Sequence, residues 1–246
     1  MPAWALCSLL LLQAPPPSSE GAPLQAAMHL LQDEENTPAN LEAAQKAFEA
    51  ALATPLSPRQ QALAHAHRAL AYLRMGELEK NAEKKAKLFD AGIKESQDAV
   101  TADDSSADAW FYRGALVGSW AEQKGMVKAL THLGDIRTAF QKALKRDPHH
   151  AGAALALAII EQRVPMLMGG SKSSAEKRFR GVLAEYPHHT RAMLDLAEFL
   201  VEDDRKDEAI ALARKARDET APYEPGEWRK FDQERAKDLL KQLKAN

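Results

Sequence analysis

Residues 136–158, IRTAFQKALKRDPHHAGAALALA, and residues 175–200, AEKRFRGVLAEYPHHTRAMLDLAEFL, decide the fold between them. Aligned at Phe140 and Phe179 they share one pattern. Ile136 or Ala175 comes first, the aromatic four residues later, Ala143 or Val182 three later, and then a stop at Pro148 or Pro187 followed by two histidines. Steps of four and three put these side chains on one face of a helix, and the proline ends it. A second helix then opens with its own stripe: Ala154, Leu157 and Ala158 in one case, Met193, Leu196, Ala197 and Leu200 in the other. Further toward the N-terminus, Ala44, Phe48, Ala51 and Leu56 (beside Pro55) repeat the first pattern, and Trp110, Gly114 and Val117 repeat the second. A small residue such as Gly114, Ala158 or Ala197 lets two helices approach, and an aromatic ring fills the space beside it. The expectation is an all-α solenoid of about five helical hairpins, at roughly 24–58, 59–106, 107–150, 151–189 and 190–224. A terminal helix over Glu227–Lys244 closes the stack with Trp228, Phe231, Leu239, Leu240 and Leu243.

This hairpin pattern resembles the tetratricopeptide (TPR) repeat, whose unit is a helix-turn-helix. The last hairpin keeps a twelve-residue step from Ala197 to Ala209, while the steps Ala158–Ala175, Gly114–Ile136 and Ala66–Gly92 lengthen to 17, 22 and 26. Extra helical turns, over Glu77–Ala99 and Phe111–Gln123 for example, absorb the surplus. Ala109-Trp110, Gly114-Ala115, Ala139-Phe140, Asp147-Pro148, Gly152-Ala153, Pro165 to Ser171, Ala175-Glu176 with Phe179, Leu196-Ala197-Glu198, Arg235-Ala236-Lys237 and Leu239-Leu240 are similar to the TRAP-transporter-associated T component, the TatT-like family. That resemblance implies an exported, periplasmic protein working beside a solute-binding component. The chain departs from it in having Trp4-Ala5-Leu6 rather than a lipobox before Cys7.

Composition narrows the function. Thirty-three basic and 35 acidic residues give a net charge of -2, which argues against a dedicated nucleic-acid binder, whose affinity needs a strong positive field. An apolar content of 45% is that of a folded protein, and abundant alanine favours helix. Cys7 is the only cysteine, so neither an intrachain disulfide nor a multi-cysteine metal site exists.

Residues 1–21 read as a signal peptide followed by a Pro/Ser-rich tether, 22–224 as the repeat domain and 225–246 as the capping helix. Trp4–Leu12 is an apolar run of h-region length, too short to span a bilayer. Ala14 could end a cleavage site, although no basic residue precedes the run and Lys46 is the first in the chain. The expected location is periplasmic or otherwise exported, and cytoplasmic if the run is not a working signal.

No reaction centre emerges. The pairs His149-His150 and His188-His189 sit at equivalent turns and could in principle meet a metal, but they read better as turn residues opening the next helix. Gly169-Gly170-Ser171-Lys172 lacks the preceding strand of a phosphate loop; its glycines suit a tight turn, with Ser173 and Glu176 expected as a capping box. His65 and His67, two apart on a helix, point in different directions. Neither Gly-x-Ser-x-Gly nor His-Glu-x-x-His occurs. The charged stretch Glu77–Lys87 is a solvated face, and Lys84, Lys85 and Lys142 are expected in solvent.

The sequence therefore points to a non-enzymatic interaction protein with no cofactor. Counting along the first helix of each hairpin, the groove-facing candidates are Leu63, His67, Phe111, Leu155, Ile159, Arg163, Arg191, Leu194 and Glu198. This strip suits a peptide or an amphipathic helix from a protein partner. The leading expectation is an exported adaptor. The alternative, implied by the TatT-like resemblance, is a ligand-handling accessory of a TRAP-type uptake system, with a periplasmic solute-binding protein as partner and homo-oligomerisation left open.

Overall fold

The structure is a computed structural model and describes residues 22–32 and 37–244; the Trp4–Leu12 run lies outside them. Among the described residues there is no strand. Ten of the helices described form five successive hairpins: α1 (Ala22–Gln32) with α2 (Pro38–Leu52), α3 (Pro58–Leu78) with α4 (Ala82–Ala102), α5 (Ala107–Gln123) with α6 (Met126–Arg146), α7 (Ala151–Arg163) with α8 (Lys172–Glu185), and α9 (Thr190–Glu202) with α10 (Lys206–Arg217). Each first helix packs on its own second helix and on its neighbours in the stack, α3 on α5, α5 on α7 and α7 on α9. The surplus length falls where the sequence placed it, since α3, α4 and α6 have 21 residues each whereas α7 to α10 have 12 to 14.

Local chemistry starts these helices. Thr37, Ser57, Asn81 and Ser106 each accept a backbone N–H of the first turn, and Pro38 and Pro58 occupy first-turn positions where no amide hydrogen is needed. At α8 the cap is Ser171, which accepts from Ser174 N at 3.2 Å. Ser173, expected as the cap, lies inside the helix instead, because the loop turns tightly at Gly169 (φ 84°) and ends earlier. Glu176 turns to Arg180 and Arg205.

Packing follows the small-residue rule. Phe48, Phe140 and Phe179 are buried, each on a second helix. A Cβ on Gly114 would stand 2.7 Å from Phe140, and one on Gly76 would stand 2.3 Å from Phe89. The first helices are thus notched where the neighbouring ring sits. Beyond α10 the chain forms one helical turn, α11 (Pro225–Glu227), then a π-turn (Trp228–Asp232), then α12 (Gln233–Gln242). Leu239 and Leu240 of α12 close the core over α9 and α10.

Candidate binding groove

The first helices pack on one another along the stack, the side that is concave in a helical-hairpin solenoid, and polar and aromatic side chains gather there. His67 (α3) is buried, stacked on Phe48 (6.3 Å between centroids) and edge-on to Tyr112 (6.2 Å). Tyr112 meets Phe111 at 5.0 Å, and Phe111 meets His150 at 4.8 Å. A file of rings therefore runs from α2 through α3 and α5 to the start of α7.

Beside it lies a buried guanidinium. Arg74 Nε forms an ion pair with Glu227 Oε1 at 3.1 Å, and Nη1 donates to Glu77 Oε2 at 3.2 Å. Arg74 and Glu227 are both buried, so α3 is tied to the C-terminal segment across the concave face. Burial pushes the Tyr112 hydroxyl well up, and the nearby Asp108, Glu224 and Glu227 add to it, while Arg74 opposes them. Burial likewise raises the Glu227 carboxyl, with Glu224 and Glu77 adding to it, against the pull of Arg74 and Arg191.

The histidine pairs are explained by capping. The second histidine of each pair opens a first helix: His150 Nδ1 accepts from Ala153 N at 3.1 Å, and His189 Nδ1 accepts from Ala192 N at 3.5 Å. An accepting Nδ1 places the His150 proton on Nε2, which donates to Asp108 Oδ1 at 3.1 Å and holds that carboxyl below its usual range. Burial lowers the pKa of His189. The first histidines go elsewhere, His149 to Glu185 and His188 to Glu219. The pairs thus address separate carboxylates and do not converge on a shared point.

One His-carboxylate group among the described residues has metal-like spacing, His65, Glu95 and Asp98, with ligand atoms within 4.8 Å of one another. Arg68 already stands 3.3 Å from Glu95 Oε1 and Lys94 stands 3.5 Å from Asp98, so cations of the chain neutralise both acids. His65 Nδ1 donates to Glu95 Oε2 at 2.8 Å, while His67 faces the ring file, as their spacing requires.

The groove candidates divide. His67 and Phe111 belong to the ring file. Arg191, half-buried at the start of α9, lies within electrostatic reach of His189, Glu227 and Asp232. Glu198 accepts from Arg235 of α12 at 2.8 Å. Leu155 and Leu194 are buried in the core, and Leu63 and Ile159 pack against it, so none of these four opens onto a free groove. Arg163 is exposed at the end of α7. Arg74, Asp108, Tyr112 and His150 were not among the candidates. Arg74 carries no distinguishing signal in the sequence, because α3 also holds Arg59, Arg68 and Glu77.

Comparison with known proteins agrees with this architecture. The chain superposes on a thermophilic TPR protein of Thermus thermophilus with a TM-score of 0.64 and 19% identity, covering 92% of this chain and 97% of that one. It superposes on PilF of Pseudomonas aeruginosa with a TM-score of 0.55 and 18% identity, covering 92% and 90%. At such identities the likeness concerns the fold alone. No curated protein matched the sequence. A tetratricopeptide repeat model matches residues 173–225, from α8 through α10, so the last hairpin is a TPR unit in sequence as well as in shape. A second model, described as regulator of microtubule dynamics protein 1-3, matches residues 26–158. Because that match covers more than half of the sequence, the chain belongs to the regulator of microtubule dynamics protein 1-3 family.

Proposed function

We propose that this chain is a non-enzymatic adaptor that holds a protein partner along its concave face. One observation carries the reading. Arg74, Asp108, Tyr112, His150 and Arg191, drawn from four successive hairpins, converge with the ring file on one side of the stack. Repeat proteins of this class are generally scaffolds, and such a line of rings and charges recognises a peptide or helix through side-chain pockets. Of the residues read from the sequence, His67, Phe111 and Arg191 fit this surface, and Leu155 and Leu194 support it from below.

The family description makes polymerised tubulin the first partner to try. A photoreactive amino acid at Asp108, on the concave side, should crosslink to a co-sedimenting partner, whereas one at Gln141, exposed on α6, should not. Crosslinking from Gln141 alone would contradict the concave reading.

Export by Trp4–Leu12 is a separate proposal, as is the division at residues 22 and 225. Expression in a Gram-negative host should give a periplasmic protein shortened by its signal, and an intact N-terminus in the cytosol would refute export. The alternative of a TRAP-type accessory depends on that outcome, and a neighbouring gene for a solute-binding protein would favour it.

A further inference from the structure

The concave face is not vacant, for the stretch between α10 and α12 runs across it and is held by side-chain recognition. Tyr223 stacks on His189 (5.1 Å, 19° between planes) and tilts against Tyr186 (5.1 Å), and its N–H donates to His188 O at 3.0 Å. Glu227 takes the Arg74 guanidinium, and Trp228 Nε1–H donates to Ala216 O at 2.9 Å. Each contact is of the kind a docked peptide makes: an aromatic anchor, a carboxylate on a buried cation, an indole on a free carbonyl.

From this we infer that the groove takes a peptide with an acidic side chain between aromatic ones, and that Pro222–Trp228 is its resident occupant, displaced when such a partner arrives. The inference rests on the concave reading and adds to it the chemistry of the partner.

Three features support exchange. Arg74 is buried, and its second partner, Glu77, is itself exposed, so the guanidinium needs a carboxylate from across the groove. An incoming acid could replace Glu227 without leaving that charge bare, whereas an apolar partner could not. The resident pair is a charge contact at 3.1 Å, and burial disfavours the Glu227 anion that makes it. Lastly, Tyr223 is 53% exposed, and the segment carries Pro222, Pro225 and Gly226 before a π-turn, so its helix is broken where it crosses. A π-turn marks a chain accommodating an extra residue, and such turns are frequent at functional sites. Displacement can begin at Tyr223 while α12 stays docked through Leu239, Leu240 and the Arg235 pairs to Asp195 and Glu198.

The test uses the full chain and a fluorescein-labelled peptide with the sequence of residues 221–230, APYEPGEWRK, followed by anisotropy. Wild type should bind weakly, since the resident segment competes. The Tyr223→Ala/Glu227→Gln variant should bind roughly tenfold tighter or more, because a larger fraction of molecules is open. Adding Arg74→Gln should abolish that gain, and a peptide with both glutamates changed to glutamine should not bind. If the released variant keeps its helical circular dichroism yet binds no tighter than wild type, the inference is overturned. Should that variant unfold, hydrogen exchange on wild type decides. Excess peptide must speed exchange of amides 222–228 and leave α9 and α10 unchanged, and no change at saturating peptide overturns the inference. A protein partner that crosslinks at Asp108 but ignores all three substitutions also overturns it, while leaving the concave adaptor reading standing.

Discussion

Replacing Gly114 by alanine is a small change with a sign that depends on one ring. The new Cβ would lie 2.7 Å from Phe140 Cε1 and 3.0 Å from Cδ1 and Cζ. The ring cannot simply swing away, since Phe140 is buried with Phe111 at 5.8 Å on its flank. Overpacking of this kind costs about 1–3 kcal/mol. Alanine in place of glycine in a helix interior returns about 1 kcal/mol, so the net loss in wild type should be about 1 kcal/mol. Phe140→Ala alone removes a buried ring and should cost about 3–5 kcal/mol. With the ring gone, the Gly114→Ala methyl has room, and only the helical gain remains, about 1 kcal/mol of stabilisation. The same substitution should therefore destabilise wild type and stabilise the Phe140→Ala protein, a difference of about 2 kcal/mol between backgrounds. Urea unfolding followed by far-UV circular dichroism measures all four proteins. If Gly114→Ala changes stability equally in both backgrounds, the notch-and-ring packing assigned to α5 and α6 is wrong.

The surface lysines should behave unequally. Lys84 is exposed, and Lys84→Ala should move stability by less than about 0.5 kcal/mol. Lys142 is not the free side chain the sequence suggested, for its Nζ stands 3.8 Å from the Trp110 ring, so Lys142→Ala should cost about 0.5–1 kcal/mol in the same assay. Acid should act through His189, whose pKa burial lowers. The unfolded chain then binds the proton first, so the contribution of His189 is complete above about pH 6.5 and is lost as pH falls toward its lowered folded value. His189→Asn keeps a capping acceptor that does not titrate, and its unfolding midpoint should lack that portion of the acid dependence; an unchanged pH profile would refute the assignment.

The fold was legible because its signals are local. Phe140 and Phe179 with their small partners, and the stops at Pro148 and Pro187, fix helix faces and ends within a few residues. The groove was less legible. First helices are covered on nearly every side, and α3 buries Ala62, Ala64, Ala66, Ala69 and Ala71 around its circumference, so periodicity does not single out a concave face. For that reason Leu155 and Leu194 read as groove residues although they lie in the core. The sequence placed the histidine pairs at the openings of the next helices, as found, but not the capping bonds of His150 and His189, because histidine is an uncommon cap. The Arg74–Glu227 contact joins the second hairpin to the C-terminal segment, and nothing local in the sequence announces it.

That contact gives the most direct test of the concave site. Hydrogen exchange of residues 222–232 should be followed in wild type, Arg74→Glu, Glu227→Arg and the charge-swapped double variant. Each single reversal puts like charges face to face and should release the segment, so its amides lose protection while those of α9 and α10 keep theirs. The swap restores an opposite pair and should restore protection. If residues 222–232 exchange alike in all four proteins, the segment does not rest on Arg74, and the concave site described above does not exist in that form.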